Sequence, residues 1–177
     1  MAPHSARSIS LAYLAYFVIA GIGQVLALQD PASAFATAVQ VGGTIWYAIV
    51  ALLLCRLFGD PTRGAGVLAM VSVVVGCVLQ SLYYALALGH GAYVLALAFF
   101  GLFLFLLGYL VLRSALIPWA IGVALIVGGA AACALPFVPP ALAPVFVLAG
   151  IAELVLWLWL VIVAVKGTSA AVGRVLR

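Results

Sequence analysis

The sequence predicts an all-α membrane protein: a single domain built as a bundle of six membrane-spanning helices, with both termini on the cytoplasmic side. Three observations predict it. Of the 177 residues, 69% are hydrophobic and only 6% charged, whereas soluble domains carry about a quarter charged residues. The apolar residues fall into runs long enough to cross a bilayer, which takes roughly 20 residues in a helix. The cationic side chains, finally, all fall on one side of the resulting topology. Lipid removes the need to hide so much apolar surface, and helices satisfy their own backbone groups within it.

The first run, 9–28, follows a short polar start containing Arg7. A signal peptide is the other reading, but no small-residue cleavage site follows and the run is long for one. Asp30 and Pro31 close it, and both suit the start of the next helix as N-cap and first-turn residues. The second run, 33–58, ends at Gly59-Asp60-Pro61. The third, 64–88, begins after Arg63 and ends at Gly89-His90-Gly91. So short a connection makes a tight antiparallel hairpin with the fourth run, 92–112. Arg113-Ser114 follows, and Pro118 suits the first turn of a fifth helix over 116–135. A proline-rich stretch, 136–144, leads to the last helix, 142–165, ahead of Lys166-Gly167 and a basic tail that suits a short helix on the membrane surface.

Charge checks the count. With six spans, one side receives Arg7, Arg56, Arg63, Arg113, Lys166, Arg174 and Arg177, all seven cations of the chain. The other side receives the Asp30 loop, the Gly-His-Gly turn and the proline-rich loop, without Lys or Arg. The positive-inside rule places the first side in the cytoplasm of a bacterial-type inner membrane. Arg56, Arg113 and Lys166 read as inner-leaflet anchors that snorkel to lipid headgroups, with Arg56 and Asp60 spaced for a weak i,i+4 pair. The net charge of +4 therefore has a topological reason, and no basic cluster suggests nucleic acid. Cys55, Cys77 and Cys133 lie singly in apolar runs and read as small buried hydrophobes. His4 and His90 lie outside the runs, which disfavours a haem or metal site, and no cofactor is expected.

Polar side chains inside the runs mark the candidate site. Glu153 is the only acidic residue in an apolar segment, and an intramembrane carboxyl is costly enough to be a functional hypothesis by default. Tyr13, Tyr16, Ala20 and Gln24 recur on one face of the first helix; Gln40, Thr44 and Tyr47 do so on the second. Gln80, Tyr83 and Tyr84 cluster on the third, and Gly150, Glu153 and Trp157 share a face of the sixth, where the glycine would admit a neighbouring backbone. Counting ~1.5 Å per residue, Glu153 lies about 20 Å from Lys166. Gln24, Gln40, Gln80, Tyr83 and Tyr84 fall in the outer half by the same count. A shared outer-half pocket follows, with Glu153, Gln80, Gln24, Gln40, Tyr84 and Trp157 as ligand-binding candidates. A protonated Glu153 could donate to Gln80 or Gln24, or relay protons. The same residues have structural readings: glutamines as interhelical glue, tyrosines and Trp46, Trp157 and Trp159 as interface belts. The fourth and fifth helices show small residues instead, Gly101, Gly108, and the ladder Ala124, Gly128, Ala132.

The second half of the chain also resembles a bacterial family of integral membrane proteins catalogued as domain of unknown function 4386. The residues that carry this are Phe100-Gly101-Leu102, Gly108-Tyr109-Leu110, Arg113-Ser114, Pro118 and Gly122. They are followed by Glu153 in the last helix, Trp157 or Trp159, and Lys166-Gly167. The likeness runs over residues 99–167, with Trp119 standing where a basic residue is common. It implies a membrane location and no particular activity.

No nucleophile with its base, metal-ligand set or phosphate-cradling loop is visible, so catalysis is not expected. The leading expectation is a protein that binds a small molecule or lipid around Glu153, in a transport-related role. The alternative is a scaffold or accessory subunit, of a membrane complex or a homo-oligomer, docking through the small-residue faces of helices four and five. A third is a membrane sensor acting through the basic tail.

Overall fold

The computed structural model describes residues 3–30, 32–58, 64–86, 88–114, 116–137 and 147–175, with side chains within 6–166. Among them, six helices are long and apolar enough to cross a membrane. They are α1 (Pro3–Gln29), α2 (Ala34–Phe58), α3 (Gly64–Leu86), α4 (His90–Ser114), α5 (Trp119–Ala134) and α6 (Val147–Val175), and a 3₁₀ turn at Leu135–Phe137 extends α5. No strand occurs among the described residues. Arg63, Asp60 and its pair with Arg56, Pro31, residues 138–146 and Arg177 lie outside them, as does the side chain of Arg174.

Local chemistry moves several helix ends from their expected places. Asp30 does not cap α2. Its carboxylate accepts from the amide of Ala32 at 3.1 Å, while Ser33 takes the cap by accepting from Ala36 at 3.4 Å. The turn before α4 closes when the Ala92 amide donates to the Gly89 carbonyl, so the helix begins at His90. Pro118 precedes α5 rather than sitting in its first turn. Its ψ of 131° is extended, and its carbonyl accepts the amide of Ile121. Finally, α6 continues through Lys166 and Gly167 to Val175 instead of stopping before a separate surface helix. One glycine costs a helix only about 1 kcal/mol, and no proline follows to end it.

Consecutive helices pack antiparallel, and α1 returns against α6, so the six close into a ring. α4 is the most enclosed and touches α2 as well as its sequence neighbours. The interior is filled by Tyr13, Leu54, Phe103, Leu107, Leu125, Leu156 and Leu160, all fully buried. The outside carries large apolar side chains such as Leu11, Val71, Ile151 and Ile162, as lipid as solvent demands. This topology gathers Arg7, Arg56, Arg113 and Lys166 at one end of the bundle, each exposed. Arg113 leans back on its own helix, its Nε donating to the Tyr109 hydroxyl at 3.1 Å.

Candidate functional site

Toward the opposite end, the ring holds a partly open cavity of about 280 Å³. Gln24 enters from α1, Gln40 from α2, Gln80 and Tyr84 from α3, and Glu153 from α6. Five of the six candidates read from sequence thus line one space. Glycines position the walls. A Cβ on Gly43 of α2 would lie 3.3 Å from Ile19 of α1, so these helices meet closely at the cavity's side. On α3, Gly76 leaves room for the ring of Phe100, 3.0 Å from where its Cβ would stand. Phe100 in turn meets Tyr47 edge-on, with ring centroids 5.4 Å apart.

The polar groups form a connected lining. Gln80 donates from Nε2 to the Tyr84 hydroxyl at 3.1 Å, and its Oε1 lies 3.5 Å from the Thr44 hydroxyl. Thr44 Oγ1 also donates to the backbone carbonyl of Gln40, one turn back in α2, at 2.9 Å. Deeper, Glu153 is only 9% exposed, and its Oε1 accepts a hydrogen bond from the Tyr47 hydroxyl. The expected partners, Gln80 and Gln24, are therefore replaced by a tyrosine. Tyr47 stands about two turns beyond Gln40 on the same face of α2, and its long side chain carries a hydroxyl to the carboxyl group. Tyr16 packs against Tyr47 at 4.7 Å between centroids. Beside this floor, Tyr13 is fully buried and its hydroxyl has no hydrogen-bond partner.

Trp157 does not belong to the cavity. Its indole nitrogen donates to the Ser10 carbonyl of α1 at 3.1 Å, and its ring meets Phe17 edge-on at 5.8 Å. Trp46 does the same from α2, donating to the Ala12 carbonyl at 2.8 Å. These two tryptophans clip α1 to α2 and α6 through carbonyl lone pairs that helix bonding leaves spare. A second, apolar cavity follows the α1–α6 seam toward the cationic end, bordered by Arg7, Ser10, Trp157 and the exposed Leu11 and Leu14.

Two further expectations change. Gly150 does not receive a neighbouring backbone. It lines the cavity, and a Cβ there would meet nothing within 4 Å. The small residues of α4 and α5 are spent inside the chain. A Cβ on Gly101 would lie 2.6 Å from the Cys133 backbone nitrogen, one on Gly108 2.6 Å from the Gly122 carbonyl, and one on Gly128 2.9 Å from Ala149 of α6. Nor is α4 without a share in the site: Tyr93, Leu97, Phe100 and Leu104 line the cavity. Their spacing of four, three and four residues is a helical stripe present in the sequence, disguised because its neighbours are apolar too. Cys55, Cys77 and Cys133 are unpaired, and Cys77 and Cys133 each contact a backbone carbonyl at 3.4 Å. No group of three His, Cys, Asp or Glu that could hold a metal ion occurs among the described residues.

Compared with known proteins, residues 75–164 match the family described as domain of unknown function, DUF4386. The match begins in α3, earlier than the likeness over residues 99–167, and takes in Gln80, Tyr84, Tyr93, Gly150 and Glu153. Gln24, Gln40 and Tyr47 precede it. No curated protein matches the chain, and neither does any solved structure.

Proposed function

The chain belongs to the DUF4386 family, whose description carries no activity, and from the cavity we propose that it binds a small molecule within the membrane. Glu153 and Tyr47 form the floor of this site, and Gln24, Gln40, Gln80 and Tyr84 orient what enters. The single observation that carries this reading is that five helices turn their scarce polar side chains into one space. A bundle needing only interhelical hydrogen bonds would be expected to pack such groups against each other without leaving 280 Å³ between them. Ligand sites are concave spaces, largely apolar, with a few convergent polar groups; this one fits that description.

The orientation proposed with it is N-in and C-in, in a bacterial inner membrane, with the cavity in the outer half. Binding or a transport step, rather than catalysis, is the proposed work. Gly101, Gly108 and Gly128, named for the scaffold reading, pack within the chain, which supports the binding reading over it.

The test is recovery of a bound species. Wild-type protein extracted together with its native lipids should release a small molecule or lipid in near-stoichiometric amount, read by mass spectrometry. Gly150→Leu, which builds a side chain at an open point of the cavity lining, should lose it while retaining the wild-type unfolding temperature. Equal recovery from both proteins, or none from either, would sink the proposal.

A further inference from the structure

We infer that the group this cavity accepts is an organic ammonium, either a free amine or quaternary amine or the headgroup of an amine-bearing lipid. The inference rests on the binding reading above and adds the chemical class of the ligand.

Charge is the first ground. Among the described residues, Glu153 is the only acidic side chain lining the cavity, and no Lys, Arg or His lines it. A buried carboxylate is tolerated when it is paired, and no cation of the lining is placed to pair with it. An entering cation would supply that partner. An anionic ligand would meet the carboxylate with nothing to offset it.

The second ground is the wall. Tyr16, Phe17, Tyr47, Tyr84, Tyr93 and Phe100 all line the space. Their electron-rich faces attract cations, the arrangement by which aromatic cages recognise quaternary ammonium groups. The rings of Tyr16 and Tyr47 lie 4.7 Å apart at an interplanar angle of 42°, and Phe100 stands edge-on to Tyr47 at 85°. Gln24, Gln40 and Gln80 supply amide oxygens that can accept from an N–H ammonium or from a hydroxyl on its tail.

Size is the third. A cavity of about 150 Å³ holds benzene, so 280 Å³ suits a trimethylammonium group with a short tail. A bare metal ion would need several of the lining oxygens to converge at about 2.0–2.6 Å, and the sodium chloride control below tests that occupant.

The experiment titrates purified full-length protein in nanodiscs with choline, tetramethylammonium and benzyltrimethylammonium. In parallel it uses 3,3-dimethylbutan-1-ol, the uncharged isostere of choline, and sodium chloride as the inorganic control. Calorimetric binding of at least one organic cation is expected, with the isostere about tenfold weaker or worse. Glu153→Gln should remove most of that preference, Glu153→Asp should keep part of it, and Gly150→Leu should abolish binding. Repeating the titration in bilayers with and without phosphatidylethanolamine separates the two sources. Weaker apparent binding in its presence identifies the headgroup as the competitor, and unchanged binding identifies a free amine; both support an ammonium site. Binding of the neutral isostere as tightly as choline, lost in Gly150→Leu, overturns the cation inference and leaves the binding reading standing. No binding of any organic cation also overturns the inference, while recovery of another bound species from native lipid would still uphold the reading beneath it.

Discussion

Two parts of the bundle use small residues in opposite ways. Along the α4–α5 seam, Gly101 and Gly108 let backbones meet, so that an added Cβ would overlap main-chain atoms at 2.6 Å on the opposite helix. In the cavity sector, Gly150 of α6 faces open space. The first arrangement gains the dispersion contacts that hold helices together in lipid, where no hydrophobic drive exists between them. The second forgoes those contacts, and the space it leaves is bordered by polar groups. Packing and vacancy are thus separated within one small chain, and the polar side chains gather at the vacancy.

The difference can be broken by substitution, and the largest effect is expected on the packed side. Gly101→Ala places a methyl group against the Cys133 nitrogen and the Gly129 carbonyl, neither of which can turn away. Overpacking of this kind costs about 1–3 kcal/mol, so detergent-resistant unfolding should shift to clearly lower temperature. An intermediate effect is expected for Trp46→Phe, which removes the 2.8 Å bond to Ala12. Interhelical hydrogen bonds in membranes are worth about 0.6 to 2 kcal/mol, and the loss should show as faster proteolysis of α1 with the rest of the bundle intact. The smallest is Gly150→Ala. With open space around it and alanine's better helix propensity, up to about 1 kcal/mol, stability should be unchanged or slightly raised. Equal losses for Gly101→Ala and Gly150→Ala would erase the comparison.

The fold was largely legible because lipid imposes a simple code. Apolar runs of spanning length, punctuated by Pro, Gly and Arg, located all six helices, and only caps and ends moved. Ser33 took the cap expected of Asp30 because the Asp30 carboxylate turned to Ala32. The polar half of the site was legible for a related reason: Gln24, Gln40, Gln80 and Glu153 stand out against apolar surroundings. What could not be read was pairing across helices. That Tyr47 would reach Glu153 ahead of either glutamine depends on the relative rotation and depth of α2 and α6. Trp157 misled for the same reason. It shares a face with Glu153, but one turn further along it meets α1 and not the cavity. The aromatic wall from α4 escaped notice because Tyr93, Leu97, Phe100 and Leu104 form a stripe on a helix that is apolar on every side.

The central proposal is that Gly150 and Glu153 border a space that water and solutes enter from the side opposite Arg7, Arg56, Arg113 and Lys166, which the proposed orientation makes the outer side. Thiol accessibility tests it directly. In a background with Cys55, Cys77 and Cys133 replaced by alanine, Gly150→Cys and Ile151→Cys differ in depth by only about 1.5 Å. One lines the cavity, and the other lies on the bundle's exposed apolar surface. A thiolate attacks the sulfenyl sulfur of a methanethiosulfonate reagent, forming a mixed disulfide and displacing methanesulfinate, and thiolates form in water and not in lipid. A small membrane-impermeant reagent applied to intact cells should modify Gly150→Cys at least about tenfold faster than Ile151→Cys. Equal rates at the two positions, or modification of Gly150→Cys only after the cells are opened, would contradict it.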